Sequence, residues 1–414
     1  MGSWRKHWLY LSGAGAVAVL ATIWAVWRRA PAVSLDAVQA AISGRDAARA
    51  EQLLDSYLQQ NPEDWQAHLM LAGVLVSRND LTGGLQHLDR IPDSSEWSVE
   101  ARFREGSLQR QLNRAQAAER AWLRCLQADE ATQTAATELA QSAVVELVIL
   151  YSLQGRRSEL EQVLWSWHAR LPRPQRSRAL IALLNVQFGS PPTQTAIPEL
   201  EKFVQADHQD YESRRALGRL LVAQPEQATM GRKLLEECVA AQPTNEQSLA
   251  AYLESLIALA DLPTARDSIA RLPDSASATD ELWHLRGSIY QLSEEWENAA
   301  EALQQSLRNN PKNHEVHARL ADVLHRLGRD ADADEHGRSS EIFFTAEQRL
   351  RSANDLFQAT ERLLEQIDTL STFTVGELYE RAGYVREAQA WYEETLRRDS
   401  QHADAHAAID RLRK

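Results

Sequence analysis

The sequence predicts an all-α chain, a solenoid of stacked helix-turn-helix units preceded by one apolar helix. Three observations carry this reading. A chain of 414 residues exceeds one ordinary domain but suits an elongated array. Alanine, leucine, glutamate, glutamine and arginine dominate, while β-branched residues and glycine are scarce outside the N-terminal stretch, so helix is favoured and a large sheet is not. Apolar residues then recur at helical spacing from the region of Leu35 to the C-terminus.

Residues 1–7 form a short tail, and Trp8 to Trp27 form an uncharged run, WLYLSGAGAVAVLATIWAVW, long enough for a single transmembrane helix. Trp4, Trp8, Tyr10, Trp24 and Trp27 gather toward its two ends, where amphipathic rings favour the headgroup layer. A cleaved signal peptide ending at Ala30-Pro31-Ala32 is the competing reading, but the run exceeds the usual apolar core of about 7–15 residues. Lys6 stands where the myristoylation pattern needs Ser or Thr. Arg5 and Lys6 oppose Arg28 and Arg29, and His7 with the terminal amine tips the balance toward a cytoplasmic N-terminus. The expected location is thus a bacterial-type inner membrane, crossed once, with the large domain outside the cytoplasm. The glycines at Gly13 and Gly15 mimic a dinucleotide fingerprint but follow no strand.

The formal charge is −13. Arg5, Lys6, Arg28 and Arg29 all flank the apolar run, so the remainder is more acidic still and repels a phosphate backbone. Nucleic acid is therefore excluded as a partner, whereas a bilayer contacts residues 8–27.

Residues 28–34 form a linker, and a solenoid occupies 35–414. Its clearest unit runs through Trp283, Gly287, Tyr290, Ala299, Leu303 and Pro311. A shift of about 34 residues aligns Ala265, Ala299 and Ala333, and likewise Leu256, Tyr290 and Leu324. Two antiparallel helices approach closely only where a small side chain meets a large one, which explains an alanine on the second helix beneath a bulky residue on the first. Further copies run through Val375, Gly376, Tyr379, Gly383, Ala388 and Tyr392, and through Leu217, Gly218, Leu221, Leu235, Cys238 and Pro243. Fainter ones contain Leu147, Tyr151, Gly155, Leu164 and Pro172; Gly106, Ala118, Trp122 and Cys125; and Gly44, Ala50, Leu54 and Pro62, followed by Leu71, Ala72 and Leu75. The rhythm breaks at Gly189 to Thr193, rich in helix breakers, and within 335–368, where the excess reads as an added long helix around Glu341 to Asp368. Residues 403–412 read as a capping helix.

These residues resemble the tetratricopeptide repeat (TPR) family, in membrane-anchored bacterial-type form. The resemblance covers nearly everything after position 34 and implies a right-handed α-solenoid, with the first helix of each pair lining a concave surface. Partner-facing positions carried over from the family are Arg215, Arg219, Glu254, His284, Ser288, Gln291, Asp322, His325, Phe373 and Glu377. Members that grip a C-terminal carboxylate use lysine and asparagine there, and no such pair stands here.

Chemistry finds little support in the sequence. Cys125 and Cys238 fall where the family places a small core residue, far apart and without a metal-site spacing. Asp330, Asp332, Asp334 and Glu341 imitate a calcium loop, but Glu335 replaces its turn glycine, and Ala333 places them on a helix. His314 with His317, and His402 with His406, have helical spacing without a third ligand and read as exposed helix histidines. No catalytic residue, metal or cofactor is expected. The expected function is that of a membrane-anchored scaffold that binds another protein in its groove. A self-associating component of an envelope assembly or secretion complex, and a non-catalytic regulatory subunit, remain the alternatives.

Overall fold

A computed structural model describes residues 34–131, 137–189, 194–270, 279–359 and 369–413, which hold twenty-one α-helices and no strand. The apolar run at 8–27 lies outside the described residues, and among those described no helix is long and apolar enough to cross a membrane.

The chain divides into two compact units, residues 1–108 and 109–414. In the first, α1 (Leu35–Ser43), α2 (Ala47–Gln60), α3 (Trp65–Ser77) and α4 (Leu81–Asp89) precede α5 (Ser98–Gln111), whose last residues belong to the second unit. Their starts are set by short polar side chains. Ser34, Asp46, Asp64 and Asp80 each accept from a backbone N–H three residues on, satisfying donors that a helix leaves unpaired. Val38, Ala50, Leu54, Ala67 and Leu71 form one core cluster, and Leu69, Leu88, Ile91 and Ala101 another.

The second unit continues with α6 (Ala115–Glu130), α7 (Glu138–Gln154), α8 (Arg157–Arg170), α9 (Arg176–Phe188), α10 (Ile197–Ala206), α11 (Tyr211–Val222), α12 (Ala228–Ala241), α13 (Glu246–Ala258), α14 (Leu262–Ala270), α15 (Asp280–Leu292), α16 (Trp296–Asn309), α17 (His314–Arg326), α18 (Asp330–Ala359), α19 (Thr369–Arg381), α20 (Val385–Arg398) and α21 (Ala403–Leu412). Ala265, Ala299 and Ala333, the aligned alanines, are all buried. A Cβ on Gly287 would meet Leu303 Cγ at 2.7 Å, and one on Gly218 would meet Leu235 Cγ at 2.7 Å. The glycines are therefore what let α15 approach α16, and α11 approach α12. Of the stretch from Glu341 to Asp368, the residues up to Ala359 continue the helix that begins at Asp330, and residues 360–368 lie outside the described residues. Helix α18 is thus thirty residues long, and α19 packs against it.

Each unit contains the same polar staple. In the first, His68 on α3 places Nδ1 2.9 Å from Nδ1 of His87 on α4, and its Nε2 lies 3.1 Å from the Pro62 carbonyl. In the second, His317 on α17 and His336 on α18 repeat this at 2.9 Å, with His317 Nε2 3.0 Å from the Pro311 carbonyl. A carbonyl only accepts, so Nε2 of the inner histidine carries the proton; its Nδ1 accepts, and the outer histidine donates. His317, expected exposed, is thus buried. Its second ring nitrogen finds a partner on the next helix, which removes the usual penalty for burying imidazole.

Candidate partner-binding groove

Four first helices of the second unit, α11, α13, α15 and α17, lie side by side, and each begins at a capped turn: Asp210, Asn245, Thr279 and Asn313 accept from backbone N–H groups. Their facing side chains form a ladder. Arg219 on α11 sets Nε 3.0 Å from Glu254 on α13, and its Nη2 donates to Glu281 on α15 at 2.9 Å. One guanidinium thus bridges three successive first helices. Farther along, Gln291 on α15 donates to Asp322 on α17 at 2.9 Å and accepts from Arg319 at 3.1 Å.

The other expected groove residues are placed as follows. Arg215 is buried, its Nη2 donating to Glu212 and to Gln247 Oε1. Ser288 is buried too, donating back to the His284 carbonyl at 2.9 Å. His284 Nε2 is buried without a hydrogen-bond partner among the described residues, and burial with the nearby Arg319 charge lowers its pKa. His325 is exposed and pairs with Asp330 at 3.0 Å. Phe373 and Glu377 belong elsewhere: α19 packs on α18 and α20, with Phe373 against the rings of Tyr392 and His402. Glu377 lies 4.0 Å from Arg381 on the same helix.

Sequence reasoning missed how this arc ends. Helix α11 packs on α7, and α9 packs on both α18 and α20, so the unit closes on itself. At the closure Gln187 is buried. Its side chain donates to Glu387 at 3.2 Å and accepts from Tyr379 Oη at 2.9 Å, and its backbone carbonyl accepts from Arg157. Phe188 meets Tyr379 and Tyr384 edge-on, and the Lys312 ammonium lies 3.5 Å above the Tyr384 ring. Burial lowers the Lys312 pKa and pushes the Tyr384 phenol up to about 12. A polar cavity of about 450 Å³ opens here, bounded by α8, α9, α18, the first residue of α15 and the turns before α17 and α20. A buried amide and a terminal phenylalanine just before the Gly189 break were the available signal.

Cys125 and Cys238 are buried thiols, pushed up by burial to about 12 and about 11, so neither is a thiolate near neutrality. Asp330, Asp332, Asp334 and Glu341 lie exposed on one helix, which cannot wrap an ion as a loop does. Among the described residues no group of three or more histidines, cysteines or carboxylates is placed to hold a metal.

Two models of the tetratricopeptide repeat match the sequence, over residues 41–97 and 285–339. These two segments carry tetratricopeptide repeats. No curated protein matches it. Among solved structures, it is similar to a chain of the APC/C hetero-tetramer Cut9–Hcn1, with TM-score 0.34, 13% identity, and coverage of 91% of this chain and 89% of that one. It is also similar to MamA from Desulfovibrio magneticus RS-1, with TM-score 0.31, 17% identity, and 44% and 97% coverage. The TPR domain of P58(IPK) gives TM-score 0.26, 12% identity, and 92% and 96% coverage. The repeat fold is that of a protein-interaction scaffold.

Proposed function

We propose that this TPR protein is a membrane-tethered adaptor that holds an extended segment of another protein along the α11–α17 ladder. The observation that carries the proposal is Arg219, bridging Glu254 and Glu281 across three helices. Its partners sit on exposed faces, so an incoming carboxylate or amide can exchange for them with little backbone change. The closure at Gln187 supports an extended segment over a folded domain, because the groove belongs to a closed circuit of helices. The uncharged run from Trp8 to Trp27 supplies the tether, and its flanking charges favour a solenoid outside the cytoplasm of a bacterial-type cell.

The test is crosslinking and affinity capture of the full chain from its native membrane, beside a variant carrying Arg219→Ala, His284→Ala and Gln291→Ala. Arg215 is left intact because it is buried. One partner recovered by the wild type and lost from the folded variant supports the groove. Recovery of this chain alone from both overturns it and makes self-association the working reading.

A further inference from the structure

The first unit holds a feature unrelated to the α11–α17 ladder. A cleft of about 730 Å³ opens at the turn before α3, walled by Trp65 and Trp97 and edged by Glu63, Asp64 and Glu96. Both indoles are half-buried and pack from behind on the core of Leu69, Leu88 and Ile91, so they are held in place while still reaching the cleft. Trp65 is fixed further by stacking on His68, with ring centroids 5.8 Å apart. Asp64 is committed to structure: it accepts from the Ala67 N–H at 3.0 Å and from Tyr57 Oη at 2.7 Å. Glu63 and Glu96 are exposed at the rim. No lysine, arginine or histidine lines the cleft.

We propose that this cleft recognises an arginine or lysine side chain presented on an extended segment of a protein partner. Two indoles beside unneutralised carboxylates suit a cation in particular. The ring faces attract positive charge, a guanidinium stacks because it is planar and weakly hydrated, and rim carboxylates accept its N–H groups. An acidic chain also steers a basic segment toward the site before contact. The position at an inter-repeat turn, open on one side, admits a peptide in passing, where a closed pocket would select a free small molecule.

The experiment uses the ¹⁵N-labelled full chain in detergent micelles, with the Trp65 and Trp97 indole N–H signals assigned from single Trp→Phe variants. N-acetyl-arginine amide, its neutral isostere N-acetyl-citrulline amide, and N-acetyl-proline amide are titrated separately. Saturable shifts of both indoles with arginine, about fivefold tighter than with citrulline, weakening with salt and lost in a Glu63→Gln, Glu96→Gln variant whose other signals are unchanged, support the proposal. Equal binding of citrulline, tighter binding of the proline amide, or no saturable shift overturns it. No residue is shared with the ladder, so the two readings fail separately.

Discussion

The two histidine staples are the same device in different surroundings. Each joins an inter-repeat turn to both helices of the following pair, with Nδ1–Nδ1 contacts of 2.9 Å. Around the first, Trp65 stacks on His68, and the Arg90 charge faces both rings, with Asp64 near His68 and Asp55 near His87. Around the second, Phe343 lies against His317, while Asp332, Glu335 and Arg329 surround His336. The turn geometry is thus set by the repeat, while burial lowers the pKa of His68, His87 and His336 and the neighbouring charges adjust it. Such a pair accommodates at most one added proton, because double protonation removes the accepting nitrogen and sets two cations in contact.

Removing the inner histidine should have the largest effect. His317→Ala leaves His336 and the Pro311 carbonyl without their partner and should cost about 2–4 kcal/mol. Because a solenoid opens by neighbouring units, hydrogen exchange should quicken in α17 and α18 and leave α3 and α4 unchanged. His68→Ala should give the mirror result. Exchange that quickens equally in both units would show that the staples are not local.

Acidification should act next, and in one direction. Burial holds His68, His87 and His336 below the usual histidine pKa. The unfolded chain therefore binds protons first, so the stabilisation is full above about pH 6.5 and is lost as pH falls from there through the lowered folded values. Urea unfolding at pH 7.5 and 5.5 should show the loss, and His87→Asn with His336→Asn should reduce it, leaving the share of His68, His168 and His284. An unchanged difference in that double variant would assign the acid sensitivity elsewhere.

Aromatic support should matter less. Trp65→Leu and Phe343→Leu should each cost about 1–2 kcal/mol, from lost stacking and partial burial, with the tryptophan the larger. Thermal unfolding of the two variants ranks them. Smallest of all, Arg90→Gln should leave stability at pH 7.5 within about 0.5 kcal/mol. It should still shrink the pH dependence of α3 and α4, read again by exchange.

Much of this architecture was legible because nearest-neighbour packing is written in small residues at fixed spacing. Gly287 against Leu303, and the buried series Ala265, Ala299 and Ala333, are visible in the sequence for that reason. The His68–His87 and His317–His336 pairs share a separation of nineteen residues, each following an Asn-Pro turn, so they were readable as a pattern but not from composition. The placement of the candidate groove residues was legible in part. Arg219 and Gln291 do bridge first helices, but Arg215 and Ser288 turn into the packing, because rotamer and helix curvature decide burial at a repeat edge. The contact of Gln187 with Tyr379 and Glu387 was not legible at all. It depends on the accumulated twist of every intervening repeat, and a periodic pattern encodes only the step from one repeat to the next.

That contact also changes how the second unit bears load. An open solenoid stretches like a coil spring, since each repeat can yield slightly without disturbing the rest. Fastened through Gln187, the helices from α9 to α20 make a closed circuit, so a pull along it is shared with the fastening. A partner dragging on the groove would thus meet stiffness until the Tyr379 and Glu387 bonds gave way, and abrupt compliance afterwards.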